Sequence, residues 1–252
     1  MNFIDKKQRL GLLVPSSNST QEPEFCRLLP ASVSLHVTRL TLSRIDPDST
    51  VSIVAELDRE SRKLADAAVD IVVLAATAPS TRMGKGYDAQ LIKRMEEASG
   101  KPATTAATAM LEAFAALGVR RVALAAAWSE TTNKWVVSFL EAHCIEVVSQ
   151  VAMGVVSNVE VGRLHPQTAL EHGRKADRKE ADALFLACGN WRTADIVEDL
   201  ERSAGKPVLT TNTMTVWHAL QKIGGHASVP GFGRLLREMP GIPSAMAAGK
   251  AA

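Results

Sequence analysis

The chain has 252 residues, of which 46% are hydrophobic, enough to bury a large core in one large domain or two small ones. A net charge of +2 and 4% aromatic content exclude a strongly basic nucleic-acid or membrane footprint and argue against base-stacking surfaces. Three widely separated cysteines, Cys26, Cys144 and Cys188, form no metal-ligand spacing. Their sparse use, an N-terminus "MNFIDKKQRLGLLVP" with no signal-peptide core, and the lack of any apolar run near the ~20 residues of a membrane span predict a cytoplasmic protein.

The elements alternate along the chain. "RLGLLVP" (9–15) and "SVSLHVTRL" (32–40) predict the first two strands, and "DIVVLAA" (70–76) the third. Asp88 is the expected cap of a helix with Leu91, Ile92 and Met95 on one face, closed by Gly100. "PATT" (102–105) and "RRVALAAA" (120–127) follow as strands. Ser129 opens a helix carrying Val136, Phe139 and Leu140, and "IEVVSQVAM" (145–153) and "DALFLAC" (182–188) are the next strands. Thr193 is the expected cap of a helix that turns Ile196 and Leu200 inward, and "PVLTT" (207–211) is the last strand. Several strands are near-continuous apolar runs, as parallel strands covered on both faces require, so the fold class is α/β with mainly parallel sheets. Cys26 and Cys144 fall on helical or loop patterns and are expected to be packing residues. The tail "AMAAGKAA" is expected to fray.

The chain also repeats itself. "VDIVVLAATAPS" (69–80) resembles "ADALFLACGNWR" (181–192), and "GKPATTAATAMLEAFAALG" (100–118) resembles "GKPVLTTNTMTVWHALQKIG" (205–224), in the same order. Two pseudo-twofold-related lobes follow, each a four-stranded parallel sheet flanked by helices. The first spans 1–117 and the second 118–225. The segment 226–242 is expected to pack back on the first lobe, and 243–252 forms the tail. Ligands of open α/β sheets sit at the C-terminal ends of strands, which brings loops 15–20, 76–84, 127–133 and 188–193 to one cleft.

Those loops carry the candidate chemistry. "VPSSNSTQEPE" (14–24) offers Ser16, Ser17, Asn18, Ser19 and Thr20, neutral donors able to hold a carboxylate, although the same residues serve an ordinary capped turn. Cys188 ends a strand before Gly189 and Asn190, where a thiol can face the cleft as nucleophile or proton carrier or be a small buried hydrophobe. The repeat sets Ala76 opposite it. Thr77 and Ser80 can donate hydrogen bonds, and Gly84, Gly86 and Tyr87 read as a mobile flap or a plain surface loop, with Arg82 and Lys85 able to contribute charge. Trp128 walls the pocket or packs between lobes. The six histidines show no metal spacing, and His218 falls mid-helix near the lobe core. No dinucleotide fingerprint, Walker pattern or G-x-S-x-G elbow occurs.

Taken as a set, "GLLVPSSNSTQEPE" (11–24), "SNVEVGRLHP" (157–166), "LACGNWRT" (186–193), "TTNTMTVWHALQKIG" (210–224) and "VPGFGRLL" (229–236) resemble the maleate cis-trans isomerase and arylmalonate decarboxylase branch of the aspartate/glutamate racemase superfamily, over nearly the whole chain. The resemblance implies an enzyme without metal or organic cofactor that takes a small dicarboxylate through an enediolate, and that associates as dimers or higher. Cys188 is the implied thiol acid-base. Ser16, Ser17, Asn18, Thr77, Ala78, Asn158, Gly189 and Asn190 are the implied substrate contacts. Two departures stand out. Trp128 occupies a tyrosine position, which removes a hydroxyl donor. Ala76 occupies the position of a first cysteine, and a methyl group can neither attack an alkene nor carry a proton. Cis-trans isomerisation is the first expectation. A single-cysteine decarboxylase is the alternative, and an inactive or engineered Cys-to-Ala form that only binds carboxylates is the second; a racemase fits less well because it needs a thiol on each face.

Overall fold

The computed structural model describes residues 8–243, so most of the tail expected to fray lies outside the described residues. In chain order the elements are β1 (Gln8–Pro15), α1 (Gln21–Leu28), β2 (Val33–Leu40), α2 (Pro47–Ala55), α3 (Leu57–Asp66), β3 (Ile71–Leu74), α4 (Thr77–Thr81), α5 (Tyr87–Ser99), β4 (Ala103–Thr105) and α6 (Ala106–Ala116). Then come β5 (Arg121–Ala126), α7 (Glu130–Ala142), β6 (Glu146–Ala152), α8 (Asn158–Arg163), α9 (Pro166–Ala176), β7 (Ala183–Ala187), a 3₁₀ turn (Ala194–Ile196), α10 (Val197–Ala204), β8 (Val208–Thr210), α11 (Thr211–Lys222) and α12 (Arg234–Glu238).

The strands form two four-stranded parallel sheets, ordered β2-β1-β3-β4 and β6-β5-β7-β8. The second order repeats the first, element for element. Two of the four inner strands, β3 and β7, are buried at every position, which is why their sequences do not alternate. Each begins beside an aspartate that the repeat shares. Asp70 accepts the Arg9 amide at 2.7 Å, and Asp182 accepts the amides of Arg120 and Arg121 at 3.0 and 2.8 Å.

The lobes meet through the equivalent helices α6 and α11. α6 brings the small buried residues Ala107, Ala109 and Ala113, and Phe114 meets the second lobe's Phe185 edge-on, with ring centroids 5.9 Å apart. His218 is wholly buried in this interface, with Nδ1 2.8 Å from Thr104 Oγ1 and Nε2 2.6 Å from Glu112 Oε2. Its partners belong to the first lobe, so it ties the lobes together at a distance from the cleft loops.

Four local expectations change. Gly86, with φ 85°, occupies the N-cap of α5; Asp88 is the second residue of the helix, buried, and accepts the Thr108 hydroxyl at 2.6 Å. Thr193 precedes a 3₁₀ turn and makes no side-chain cap; its own amide and that of Ala194 donate to the buried carboxylate of Glu24. Cys26 and Cys144 are exposed, not packed; Cys144 sits at φ 61° just past the end of α7. The segment 226–242 lies largely on the second lobe. Here α12 packs on α11, the Arg234 amide meets Glu201, and Trp217 Nε1 donates to the Pro240 carbonyl at 3.0 Å. Its link to the first lobe is the Arg27 guanidinium over the Phe232 ring.

Candidate active site

The C-terminal ends of β1, β3 and β7 converge on a small cavity of about 40 Å³ between the lobes. Asn18, Ala76, Thr77, Ala78, Trp128, Asn158, Cys188, Gly189 and Asn190 line it, and so do Pro15, Gln21, Leu42, Ile45 and Thr50. None of these lining residues carries a formal charge.

Cys188 is 5% exposed and its backbone is strained, with φ 136°. A non-glycine residue in that region costs about 1–3 kcal/mol and persists only where its surroundings hold it. Its N–H donates to Thr211 Oγ1 at 3.2 Å, and its carbonyl accepts the Trp191 amide at 3.1 Å. Burial pushes the thiol up to about 12, against the pull of the Asn190 and Trp191 amides on the sulfur. At neutral pH this is a protonated thiol, a proton donor rather than a ready nucleophile. Ala76 stands at the matching strand end of the first lobe. The first amides of α4, those of Thr77 and Ala78, have no partner within their helix by its geometry.

The first loop divides between binding and construction. The Ser16 and Ser17 hydroxyls both reach the Leu42 carbonyl, so they brace the loop and do not line the cavity. Asn18 Oδ1 takes the Thr20 and Gln21 amides at 3.0 and 2.9 Å, and its Nδ2 donates to Gln21 Oε1 at 2.7 Å. Asn158 Nδ2 donates to Ser17 Oγ at 2.8 Å. An amide NH₂ has two hydrogens, so Asn18 and Asn158 each keep one for a ligand. Asn190 is a strut: its Oδ1 takes the Ser19 amide at 2.9 Å and its Nδ2 donates to the Asn158 carbonyl at 2.6 Å. Trp128 walls the cavity with its ring and turns its N–H to Asn133 Oδ1 at 3.2 Å. Arg82 donates to Thr50 Oγ1 from behind the wall, and Tyr87 lies outside the cavity.

Sequence reasoning missed the polar floor. Gln21 is wholly buried and donates Nε2 to the Ala75 carbonyl at 2.8 Å and to Asn212 Oδ1 at 3.2 Å. Asn212 in turn donates to the Gly189 carbonyl at 3.0 Å and to Glu24 Oε2 at 2.6 Å. Burial raises the Glu24 carboxyl above its ordinary value, against hydrogen bonds from Asn212 and the Ala194 and Thr193 amides. Arg39 grips the first loop through the carbonyls of Ser16 and Asn18, both at 2.9 Å. Gln21 and Asn212 lie inside the quoted motifs, but a polar residue on a helix gives no sign from sequence that it crosses to the other lobe.

A sequence model of the arylmalonate decarboxylase family matches residues 10–236. The chain belongs to this family. Among its relatives, arylmalonate decarboxylase from Bordetella bronchiseptica is 29% identical over 91% of this chain and 96% of the relative. Maleate isomerase from Nocardia farcinica is 32% identical over 92% of this chain and 96% of the relative. A solved structure of the Nocardia farcinica maleate cis-trans isomerase, a variant with a covalently bound succinylcysteine intermediate, superposes with a TM-score of 0.87 at 30% identity, over 91% of this chain and 98% of that one. The family and the shared two-sheet architecture make this arylmalonate decarboxylase family member an enzyme.

Proposed function

We propose that the chain decarboxylates a small malonate-type dicarboxylate and that Cys188 delivers the proton that completes the reaction. One carboxylate is held by the remaining hydrogens of Asn18 and Asn158 and by the amides at the start of α4. The bond from the α-carbon to the second carboxylate breaks. Its electron pair passes into the retained carboxylate to give an enediolate, and carbon dioxide leaves. Preorganised neutral donors hold that developing charge. The Cys188 thiol then gives its proton to the α-carbon, and the thiolate regains a proton from water.

The observation that carries this reading is a buried thiol on one wall of the cavity with a methyl group on the other. Decarboxylation needs one proton donor and no nucleophile. The apolar surfaces of Leu42, Ile45 and Trp128 suit a substituent on the α-carbon. Release of carbon dioxide from a substituted malonate tests it. The parent chain is expected to turn over, and Cys188→Ala to lose about 10²–10⁴-fold in kcat. Full activity in Cys188→Ala rules the proposal out.

Isomerisation of a maleate-type acid, the first expectation from sequence, draws support from the maleate isomerase relatives. It asks a thiol to add to an alkene while another group manages the proton, and Ala76 leaves Cys188 to do both.

A further inference from the structure

The two halves of the chain offer an internal comparison at the site. Val72 pairs with Ala103 in the first sheet as Leu184 pairs with Val208 in the second, which sets Ala76 opposite Cys188. Thr105 and Thr210 end the last strands and cap α6 and α11 in the same way, accepting the amides of Thr108 and Thr213. The cap is present in both halves because both helices need it. The next two positions differ. They are Ala106 and Ala107 in the half with Ala76, and Thr211 and Asn212 in the half with Cys188.

The polar pair grips the strained turn from both sides. Thr211 Oγ1 accepts the Cys188 N–H at 3.2 Å, and Asn212 Nδ2 donates to the Gly189 carbonyl at 3.0 Å. Thr211 Oγ1 also lies 3.2 Å from Thr77 Oγ1, so the same hydroxyl reaches the opposite half-site. Helix geometry asks for none of these contacts, and the equivalent helix α6 begins with alanines in their place. We infer that Thr211 is a positioning residue for Cys188: its hydroxyl holds the left-handed backbone that keeps the sulfur against the Asn190 and Trp191 amides, and joins that backbone to Thr77 across the cleft.

The inference rests on the reading of Cys188 as the reacting thiol, but its test does not need turnover. In a Cys26→Ser, Cys144→Ser background, which removes the two exposed thiols, the rate of Cys188 alkylation by iodoacetamide is measured by intact mass from pH 7 to 10. Thr211→Val is expected to slow alkylation at least tenfold at pH 9, because the thiolate loses its amide contacts. Thr211→Ser keeps the hydroxyl and is expected within twofold of the background. Should Thr211→Val fold poorly, Thr211→Ala, which adds no atoms, carries the same comparison. An unchanged or faster rate in the variants without a hydroxyl overturns the inference, and so does a serine variant as slow as the valine one. A chain that alkylates as expected but releases no carbon dioxide keeps the positioning role and loses the proposed reaction.

Discussion

Gly189→Ala tests the packing that brings the two halves of the site together. A Cβ at Gly189 would stand 2.3 Å from Gln21 Nε2, 2.7 Å from Gln21 Cδ and 3.2 Å from Asn212 Oδ1. The closest of these is roughly 1 Å short of ordinary carbon contact. The Gln21 amide cannot yield cheaply, because the Ala75 carbonyl, Asn212 and Asn18 all hold it. Overpacking costs about 1–3 kcal/mol, and a buried polar partner left unpaired costs about 1–3 kcal/mol. A loss of about 3 kcal/mol is therefore expected, equivalent to a fall of roughly 6–12 °C in Tm for a chain of this size. Calorimetry on Gly189→Ala, Gln21→Ala and the double variant separates clash from general damage. The double variant is expected to cost less than the sum of the singles, since removing the Gln21 amide removes the obstacle. A Tm within about 1 °C of the parent for Gly189→Ala, or strict additivity in the double variant, refutes the reasoning.

Other outcomes follow from the same geometry. With all three cysteines present, a maleimide at pH 7 is expected to label the exposed Cys26 and Cys144 well before Cys188, whose thiol burial holds protonated; peptide mapping checks the order. Ala76→Cys puts a thiol on the second wall and is expected to introduce racemisation of an α-substituted carboxylic acid or isomerisation of maleate, read by chiral chromatography or by loss of alkene absorbance. Burial pushes the Asp182 carboxyl up, but the Arg121 side chain and the Arg120 and Arg121 amides outweigh it and leave it below the usual carboxylate value. Its stabilisation is therefore present above the ordinary aspartate range and lost as pH falls through the lowered folded value. Asp182→Asn is expected to cost about 1 kcal/mol at pH 7 in urea unfolding, with the deficit shrinking as pH falls below about 4; a deficit independent of pH contradicts this.

Much of the architecture was legible because the repeat is written in short apolar strings. "DIVVLAA" and "DALFLAC" point to the same buried strand twice, and the shared "GKP" sets the register of the next element. That correspondence alone places Ala76 opposite Cys188. The boundaries that misled were decided by tertiary partners. Asp88 looks like a cap, yet Gly86 supplies the left-handed turn and Asp88 serves Thr108 on α6. Thr193 looks like a cap, yet its side chain caps nothing and its amide donates to Glu24 from the first lobe. Ser16 and Ser17 carry the right chemistry for a carboxylate, but the chain folds their hydroxyls back on Leu42. Gln21, Glu24 and Asn212 could not be read at all, because each acts across the lobe interface and that pairing appears only after both sheets are assembled. The strain at Cys188 is likewise a property of the turn and of Thr211 behind it, not of the residue type.

One-sided protonation, with a donor at Cys188 and none at Ala76, is the core of the proposed reaction. It is tested most directly by running the reaction on a prochiral α-methyl-α-arylmalonate in deuterium oxide and analysing the monocarboxylic acid by NMR and chiral chromatography. Carbon dioxide release and a single enantiomer with one deuterium at the α-carbon are expected, with both lost in Cys188→Ala. A racemic product, or an unchanged product from Cys188→Ala, contradicts it.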